Sequence, residues 1–365
     1  MRRPVTLTLA AAAAATALLL TGVAPAQAAD GADGWAPSID GARSAAPQVA
    51  AKAAAAWTPT VERIGGVDRY DTAVKIAKKF PANVERVFVV TGADFPDALG
   101  ASAAAGYYES PVLLTTRTSL PAAVVTEIKR LNPEEIVLVG GTGVVSTTVE
   151  NSLKKLAPVV RLAGTDRYDT NRKTNSYVFE KNENPAGLGF IATGAGYADA
   201  LSAGGVAGAY WSPVVLVNGS KSSLDAATKK NISDIGVQTV VIVGGSGAVS
   251  SGIEKQFDSI FPGRVYRESG DDRYSTSAVL NDSAYGTSYS TAFLAAGTGF
   301  ADALAGGALA AVADGDGGPL FLVQPNCVPA PVLEQLKAAQ PDKIVLLGGS
   351  GVLSSNVAKL KACAS

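Results

Sequence analysis

Three arginines, Arg69, Arg167 and Arg273, each follow an aspartate (Asp68, Asp166, Asp272) and precede a tyrosine (Tyr70, Tyr168, Tyr274). A guanidinium presents a planar fork of donors that matches phosphate and carboxylate. One reading therefore has the triplicated arginine touching an anionic ligand. The other is structural: the aspartate caps a helix, the arginine pairs with a carboxylate and the tyrosine packs. A second set of carboxylates, Asp97, Asp199 and Asp302, falls at a helix start just after a strand. These can serve as N-caps or hydrogen-bond sugar hydroxyls. A glycosidase needs two acids roughly 5 to 9.5 Å apart in different environments. Asp94 and Asp97 could form such a pair, but Asp94 becomes Gly196 and Gly299 in the other copies. The third set is Gly140-Gly141-Thr142-Gly143, Gly244-Gly245-Ser246-Gly247 and Gly348-Gly349-Ser350-Gly351. Such turns offer backbone N–H groups to an anion where strands end, which makes Gly141, Gly245 and Gly349 candidate ligand contacts. The alternative is turn geometry at positive φ alone. The Lys-Ser/Thr of a P-loop and the GxGxxG spacing are both missing, so nucleotide binding is the weakest option.

The composition removes several chemistries. Histidine is absent, which excludes Ser-His-Asp and Cys-His catalysis and ordinary His-ligated zinc. No cofactor or metal is called for. Arg2 and Arg3, an Ala/Leu core over Leu7 to Leu20 and Ala26-Gln27-Ala28 form a secretory signal with cleavage after Ala28. In an exported chain, Cys327 and Cys363, the two cysteines, are expected to form one disulfide. Cleavage moves the formal charge from −1 to −3. That balance argues against nucleic acid and against a generally basic membrane-binding surface. No other run is long and apolar enough to span a membrane.

The elements that must position these residues recur as a set. RIGGVDRYDT, RLAGTDRYDT and RESGDDRYST begin at Arg63, Arg161 and Arg267, and the double glycine returns every 104 residues. A period near one hundred is the size of a small domain rather than of a solenoid unit. Residues 1–28 are read as signal peptide, 29–60 as a disordered Ala/Gly/Ser/Pro-rich linker, and 61–158, 159–263 and 264–365 as three repeats. Within the first, an amphipathic helix over 70–80 precedes a wholly apolar strand at 86–91, and a helix over 96–108 follows. Next come a strand at 111–115, a helix at 121–131, a strand at 136–139 and a helix from 147 capped by Ser146. A short strand such as 159–162 sits at each repeat junction. Short apolar strands alternating with helices give an α/β fold, with parallel sheets covered on both faces. Asn171, Asn175 and the polar run 275–283 make the first repeat the one expected to be most regular. The helix after each FPDAL-type motif is nearly free of bulky side chains (DALGASAAAG, DALSAGGVAG, DALAGGALAA), although each internal glycine costs about 1 kcal/mol. Either three such helices meet about a pseudo-threefold axis, or each packs closely on its own sheet.

The ordered set RIxGxDRYxTA, FPDALxA, PVLLT and IVLVGGxGxVS resembles the cell wall binding repeat 2 family of Gram-positive surface and secreted proteins. The departures are Gly270-Asp271, Tyr197-Ala198 for Phe-Pro, and Pro319 to Leu322 for PVLLT. The resemblance implies three tandem Rossmann-like or toprim-like modules in a pseudo-threefold arrangement, a monomer with an internal pseudo-trimer. It also implies extracellular, noncovalent attachment to an anionic cell-wall polysaccharide or teichoic-type polymer. The ligand would lie in grooves at module junctions, held by arginines and backbone amides. Relatives often carry an effector domain; none is expected here, since the stretch read as linker before the repeats is only about thirty residues, nor is an LPxTG-like tail, so the chain reads as a binding array. The competing reading is a peptidoglycan amidase, or a modifier of a cell-wall amidase.

Overall fold

The computed structural model describes residues 57–94 and 96–364, so the signal-peptide call and all but the end of the linker call lie outside it. The β-branched runs form strands buried on both faces: β2 (Arg86–Thr91), β3 (Val112–Thr115) and β4 (Glu135–Val139) in the first repeat. The second repeat gives β6 (Gly187–Thr193), β7 (Val214–Val217) and β8 (Val237–Val243). The third gives β10 (Thr291–Ala296), β11 (Leu320–Val323) and β12 (Lys343–Leu347). The strands that open the repeats, β1 (Thr60–Ile64), β5 (Val159–Leu162) and β9 (Val265–Glu268), do not join the sheets of the residues that follow them. The three sheets run β3-β2-β4-β5, β7-β6-β8-β9 and β11-β10-β12-β1, all parallel. Each opening strand is thus handed to the preceding sheet. The N-terminal strand closes the series by pairing Thr60 with Lys343 through Ile64 with Leu347. In all three sheets the first glycine of the double-glycine turn donates its N–H to the end of the handed-over strand, at 2.8 Å: Gly140 to Leu162, Gly244 to Glu268 and Gly348 to Ile64.

The helices that follow the handed-over strands return to the next sheet. Helices α1 (Arg69–Ala77), α5 (Arg167–Val178) and α9 (Arg273–Tyr285) pack on β3, β7 and β11. Here the expectation that the first repeat is the most regular is overturned: α1 has 9 residues, whereas α5 has 12 and α9 has 13. The polar residues that suggested interruption instead satisfy the open edges of β7 and β11. Asn171 donates to the Val214 carbonyl and accepts from the Leu216 N–H, and Asn175 also donates to Val214. Ser277 accepts from Leu322 N–H and Asn281 donates to the Leu320 carbonyl. A buried amide that completes an edge strand is stabilising where an unpaired one would cost 1–3 kcal/mol, roughly.

The small-residue helices are α2 (Ala101–Tyr107), α6 (Ala198–Ala209) and α10 (Ala301–Ala311). They pack on one another and also on their own sheets, so both readings of the small residues hold. The first of them begins at Ala101 rather than near Pro96, whereas the other two begin at the expected place. In α6 every residue from Ala200 to Ala209 is buried, as a helix surrounded on all sides must be. At the axis, a Cβ on Gly208 would lie 2.8 Å from the Ala311 Cβ and 3.1 Å from the Gly106 Cα. One level up, a Cβ on Gly307 would meet the Ser102 hydroxyl at 2.3 Å, and Ser102 occupies the space that Gly204 and Gly307 leave open. One hydrophobic cluster runs through the first two sheets into the third module, and a second lies on that module's outer side. There Cys327 and Cys363 are disulfide-bonded, with Cα atoms 4.9 Å apart. No helix among the described residues is long and apolar enough to cross a membrane.

Replacing Gly208 by valine places a branched side chain where three backbones meet. Overpacking of this kind costs about 1–3 kcal/mol, so the urea midpoint of G208V should fall well below that of the parent. Ser102→Ala, which removes a buried hydroxyl with no partner, should leave the midpoint unchanged or raise it.

Candidate functional site

Strand hand-over carries the DRY segment from one sheet to the next, and this decides where its arginine goes. Asp68, Asp166 and Asp272 cap α1, α5 and α9 by accepting from the N–H of Asp71, Asp169 and Ser275, each at 2.8 Å. The turn before them is fixed three times over by an N–H to threonine hydroxyl bond of 3.0 Å: Gly66 to Thr72, Gly164 to Thr170, Gly270 to Thr276. The tyrosine packs as expected: a Cβ on Gly92, Gly194 or Gly297 would strike the ring of Tyr70, Tyr168 or Tyr274 at 2.5–2.7 Å. The arginine's hydrogen bond differs from the structural expectation. Arg69, Arg167 and Arg273 each donate Nη1 not to a carboxylate but to the carbonyl of Gly92, Gly194 or Gly297, at 2.6 Å.

From that anchor the guanidinium reaches a neighbouring module. Arg69 lies 5.7 Å from the ring centroid of Phe300, and Arg273 lies 5.4 Å from that of Tyr197, whose hydroxyl accepts from Arg273 at 3.2 Å. Cation–π contacts of this geometry hold the guanidinium plane without neutralising it. Phe95, at the matching sequence position of the first repeat, lies outside the described residues.

Asp97, Asp199 and Asp302 are not N-caps. Helices α6 and α10 begin behind Tyr197 and Phe300 without a side-chain cap bond, and α2 begins behind Gly100. The carboxylates turn instead toward the double-glycine turn. A Cβ on the first glycine would meet Oδ2 of Asp97 at 3.4 Å, of Asp199 at 2.4 Å and of Asp302 at 2.7 Å. These glycines also have φ of 118°, 104° and 120°, so only glycine suits the position on both counts. The second glycine is different, since a Cβ on Gly141 or Gly245 would meet nothing within 4 Å and one on Gly349 only the Gly66 carbonyl at 3.0 Å.

The nine residues singled out in the sequence therefore assemble into three mixed sets rather than three sets by motif. Asp97 comes together with Arg167 and Gly141, Asp199 with Arg273 and Gly245, and Asp302 with Arg69 and Gly349. The second set lines a groove of ≈ 520 Å³ and the third a groove of ≈ 710 Å³ that Tyr197 also borders. A further arginine in each repeat was missed. Arg63, Arg161 and Arg267 donate Nη1 to the carbonyl of Gly348, Gly140 and Gly244 at 2.9, 2.7 and 2.6 Å, clamping the glycine turn from behind. Their signal was present, six residues before each DRY arginine. Among the described residues no group of three or more His, Cys, Asp or Glu could hold a metal ion.

Burial dominates the electrostatics of the carboxyls. It pushes Asp199 up to about 6 against the pull of Arg273, and Asp302 up to about 6 against Arg69 and Thr72. Asp97 is also raised by burial and by Asp94, held back by Thr170, the Gly141 N–H and Arg167. An unfolded aspartate titrates near 3.9, roughly. The folded chain thus holds more protons between about pH 4 and 6, so the stability these groups contribute is complete below pH 4 and is lost as pH rises through 6. The double variant Asp199→Asn/Asp302→Asn should gain on the parent as pH rises from 4 to 7, by on the order of 2 kcal/mol per carboxyl. Urea midpoints of the two chains at pH 4 and 7 measure this; equal pH dependence would contradict it.

Residues 63–150, 161–254 and 267–358 match the model of cell wall binding domain 2 (CWB2). The chain is 32% identical over 253 residues to N-acetylmuramoyl-L-alanine amidase LytC of Bacillus subtilis, covering 69% of this chain and 48% of the relative. It is 26% identical over 297 residues to the amidase enhancer of the same organism, covering 81% and 39%. The chain thus spans half or less of the length of these curated relatives. Cwp6 and Cwp8 of Clostridium difficile share the architecture at TM-scores of 0.74 and 0.72, each 26% identical over 83% of this chain and 48% and 51% of theirs. With the same motif set matched three times in order, on three modules closed around one axis, the chain belongs to the cell wall binding domain 2 family.

Proposed function

We propose that this protein is exported and holds an anionic cell-wall polysaccharide or teichoic-type polymer in its junction grooves, as a monomer and without catalysing a reaction. The observation that carries the reading is the convergence of three chemistries from two modules: the arginine, the buried carboxyl and the aromatic ring beside the open second glycine. Pyranose rings have apolar faces that stack on an aromatic side chain and hydroxyls that bond a carboxyl, and a guanidinium takes the charged substituent. Asp199 and Asp302, half-protonated near pH 6, can donate as well as accept and repel an anion less than full carboxylates do. Grooves repeated on one rigid body also gain avidity along a repeating polymer.

The likeness to an amidase and to an amidase enhancer supports a second reading, in which the chain acts on or with a wall hydrolase. The unrepeated pair Asp94 and Asp97 is its candidate machinery within this chain. A zymogram on peptidoglycan separates the two readings: the chain beginning at Ala29 should leave no cleared band.

The binding reading is tested by co-sedimentation of that chain with isolated Gram-positive walls. Reversing Arg69, Arg167 and Arg273 to glutamate together should lower the affinity at least tenfold, since charge-assisted bonds contribute roughly 1.5–3 kcal/mol each. Undiminished binding by the triple variant would rule out the grooves.

A further inference from the structure

The three junctions share one scaffold but not one charge, and the difference follows chain order. At the position of Asp94 in the first junction, the second and third have Gly196 and Gly299. At the position before the DRY aspartate, the junctions have Thr165, Asp271 and Val67 in turn, and Asp271 lines the second groove as Val67 lines the third. Behind the glycine turn, Arg161 is paired with Glu150 at 2.9 Å and Arg267 with Glu254 at 3.0 Å. In the third junction that acid is replaced by Ala358, and Arg63 binds only the carbonyls of Gly348 and Gly349, at 2.9 and 3.2 Å. The first junction therefore has Asp94 and Glu150, and the second Asp271, Glu254 and Glu268, at positions where the third has no acid. Lysine offsets one of these acids, since Lys154 pairs with Glu150 at 2.9 Å; Lys75 at the third junction is itself matched by Asp71, at 3.2 Å, as Lys173 is by Asp169 at the first, at 3.4 Å.

We propose that the junction joining the third module to the first is the principal anion-binding groove, taking a sugar ring that bears one phosphate or carboxylate, and that the other two are weak auxiliary sites. The inference rests on the junction-groove reading above and assigns the work among the grooves. The third groove is larger than the second, at ≈ 710 Å³ against ≈ 520 Å³, and is bordered by two aromatic residues, Phe300 and Tyr197, beside Arg69. A carboxylate lining the groove, as Asp271 does in the second, weakens a bound anion by about tenfold at the dielectric of a surface groove, and the acid behind the glycine turn cancels the arginine that the third junction keeps.

Single substitutions test this on the chain beginning at Ala29, with isolated walls as the probe. Arg69→Gln should weaken co-sedimentation about tenfold, while Arg167→Gln and Arg273→Gln change it less than twofold. Giving the third junction the acids of the others, as Val67→Asp/Ala358→Glu, should weaken binding to the same degree, and Asp271→Val should strengthen the second junction. Val67 is 94% exposed and Ala358 half-buried, so these chains should keep the parent's thermal midpoint. Competition by N-acetylglucosamine 6-phosphate and by glucuronic acid, run separately, distinguishes a phosphate from a carboxylate source, and either should act on the parent and not on R69Q. Equal losses for the three arginine variants would overturn the ranking and leave the groove reading standing. No loss from any of them, or from the triple charge reversal, would overturn both.

Discussion

The hydrogen bonds between each repeat's opening strand and the previous sheet are the constraint from which the junctions follow. A strand such as β5 is fixed in one sheet by β4, while the helix that continues from it packs against β7 of the next. The few residues between them must cross the boundary, and those residues are the DRY segment. Its aspartate ends the crossing by capping the helix and its tyrosine fills the space beside the next sheet's strand-end glycine. Its arginine is thereby set beside the carboxyl of the module it has left. The groove is a consequence of topology: a chain whose repeats kept all four strands to themselves would have no reason to bring Arg167 to Asp97.

The hand-over needs the modules to be close, and the central helices set how close. Gly106, Gly208 and Ala311 let three backbones approach within reach of one another, at a conformational cost that contacts across the axis offset. Larger side chains there would move the modules apart and open every junction at once. Close approach at the axis and a shared strand at the rim therefore act on the same interface from its two sides. This explains why small residues are needed in α2, α6 and α10 even though nothing in those helices touches a groove except at their first turns.

Much of this was legible in the sequence because it is repeated. Alternation of apolar runs with helical periodicity gave the α/β class and the strand positions, and the fixed spacing gave three modules. Two kinds of feature were not legible. The first is polar residues whose partners are distant: Asn171 and Asn175 read as helix breakers because nothing local shows that the edge of β7, some forty residues on, needs their amides. The second is mixing between repeats. Arg69, Asp302 and Gly349 were recognised as members of three motifs, yet their joint membership of one groove depends on β1 closing onto β12, a pairing between residues almost three hundred positions apart. Arg63 and its counterparts were passed over for a related reason, since the backbone carbonyls that hold all three leave no mark in the sequence, and Glu150 and Glu254, which pair with Arg161 and Arg267, have no counterpart in the third repeat.

The closing junction differs from the others in what its occupation would do. The first two grooves lie between modules joined directly by a strand and a short turn, so their halves stay together through the chain itself. The third is built from the two ends of the folded region, with Arg63, Arg69 and Thr72 on one side and Asp302 and the Gly348-Gly349 turn on the other. Five residues of parallel strand pairing, the Lys343–Glu62 ion pair and the packing of α10 against α1 and α2 join those halves, with no covalent crossing between them. A ligand that binds across them binds only the closed form, and so shifts the equilibrium toward closure by its own mass action. Attachment to the wall and retention of the N-terminal strand then become the same equilibrium seen from two sides. If the proposed ranking holds, the groove with the fewest acids is the one whose occupation the fold has the most to gain from.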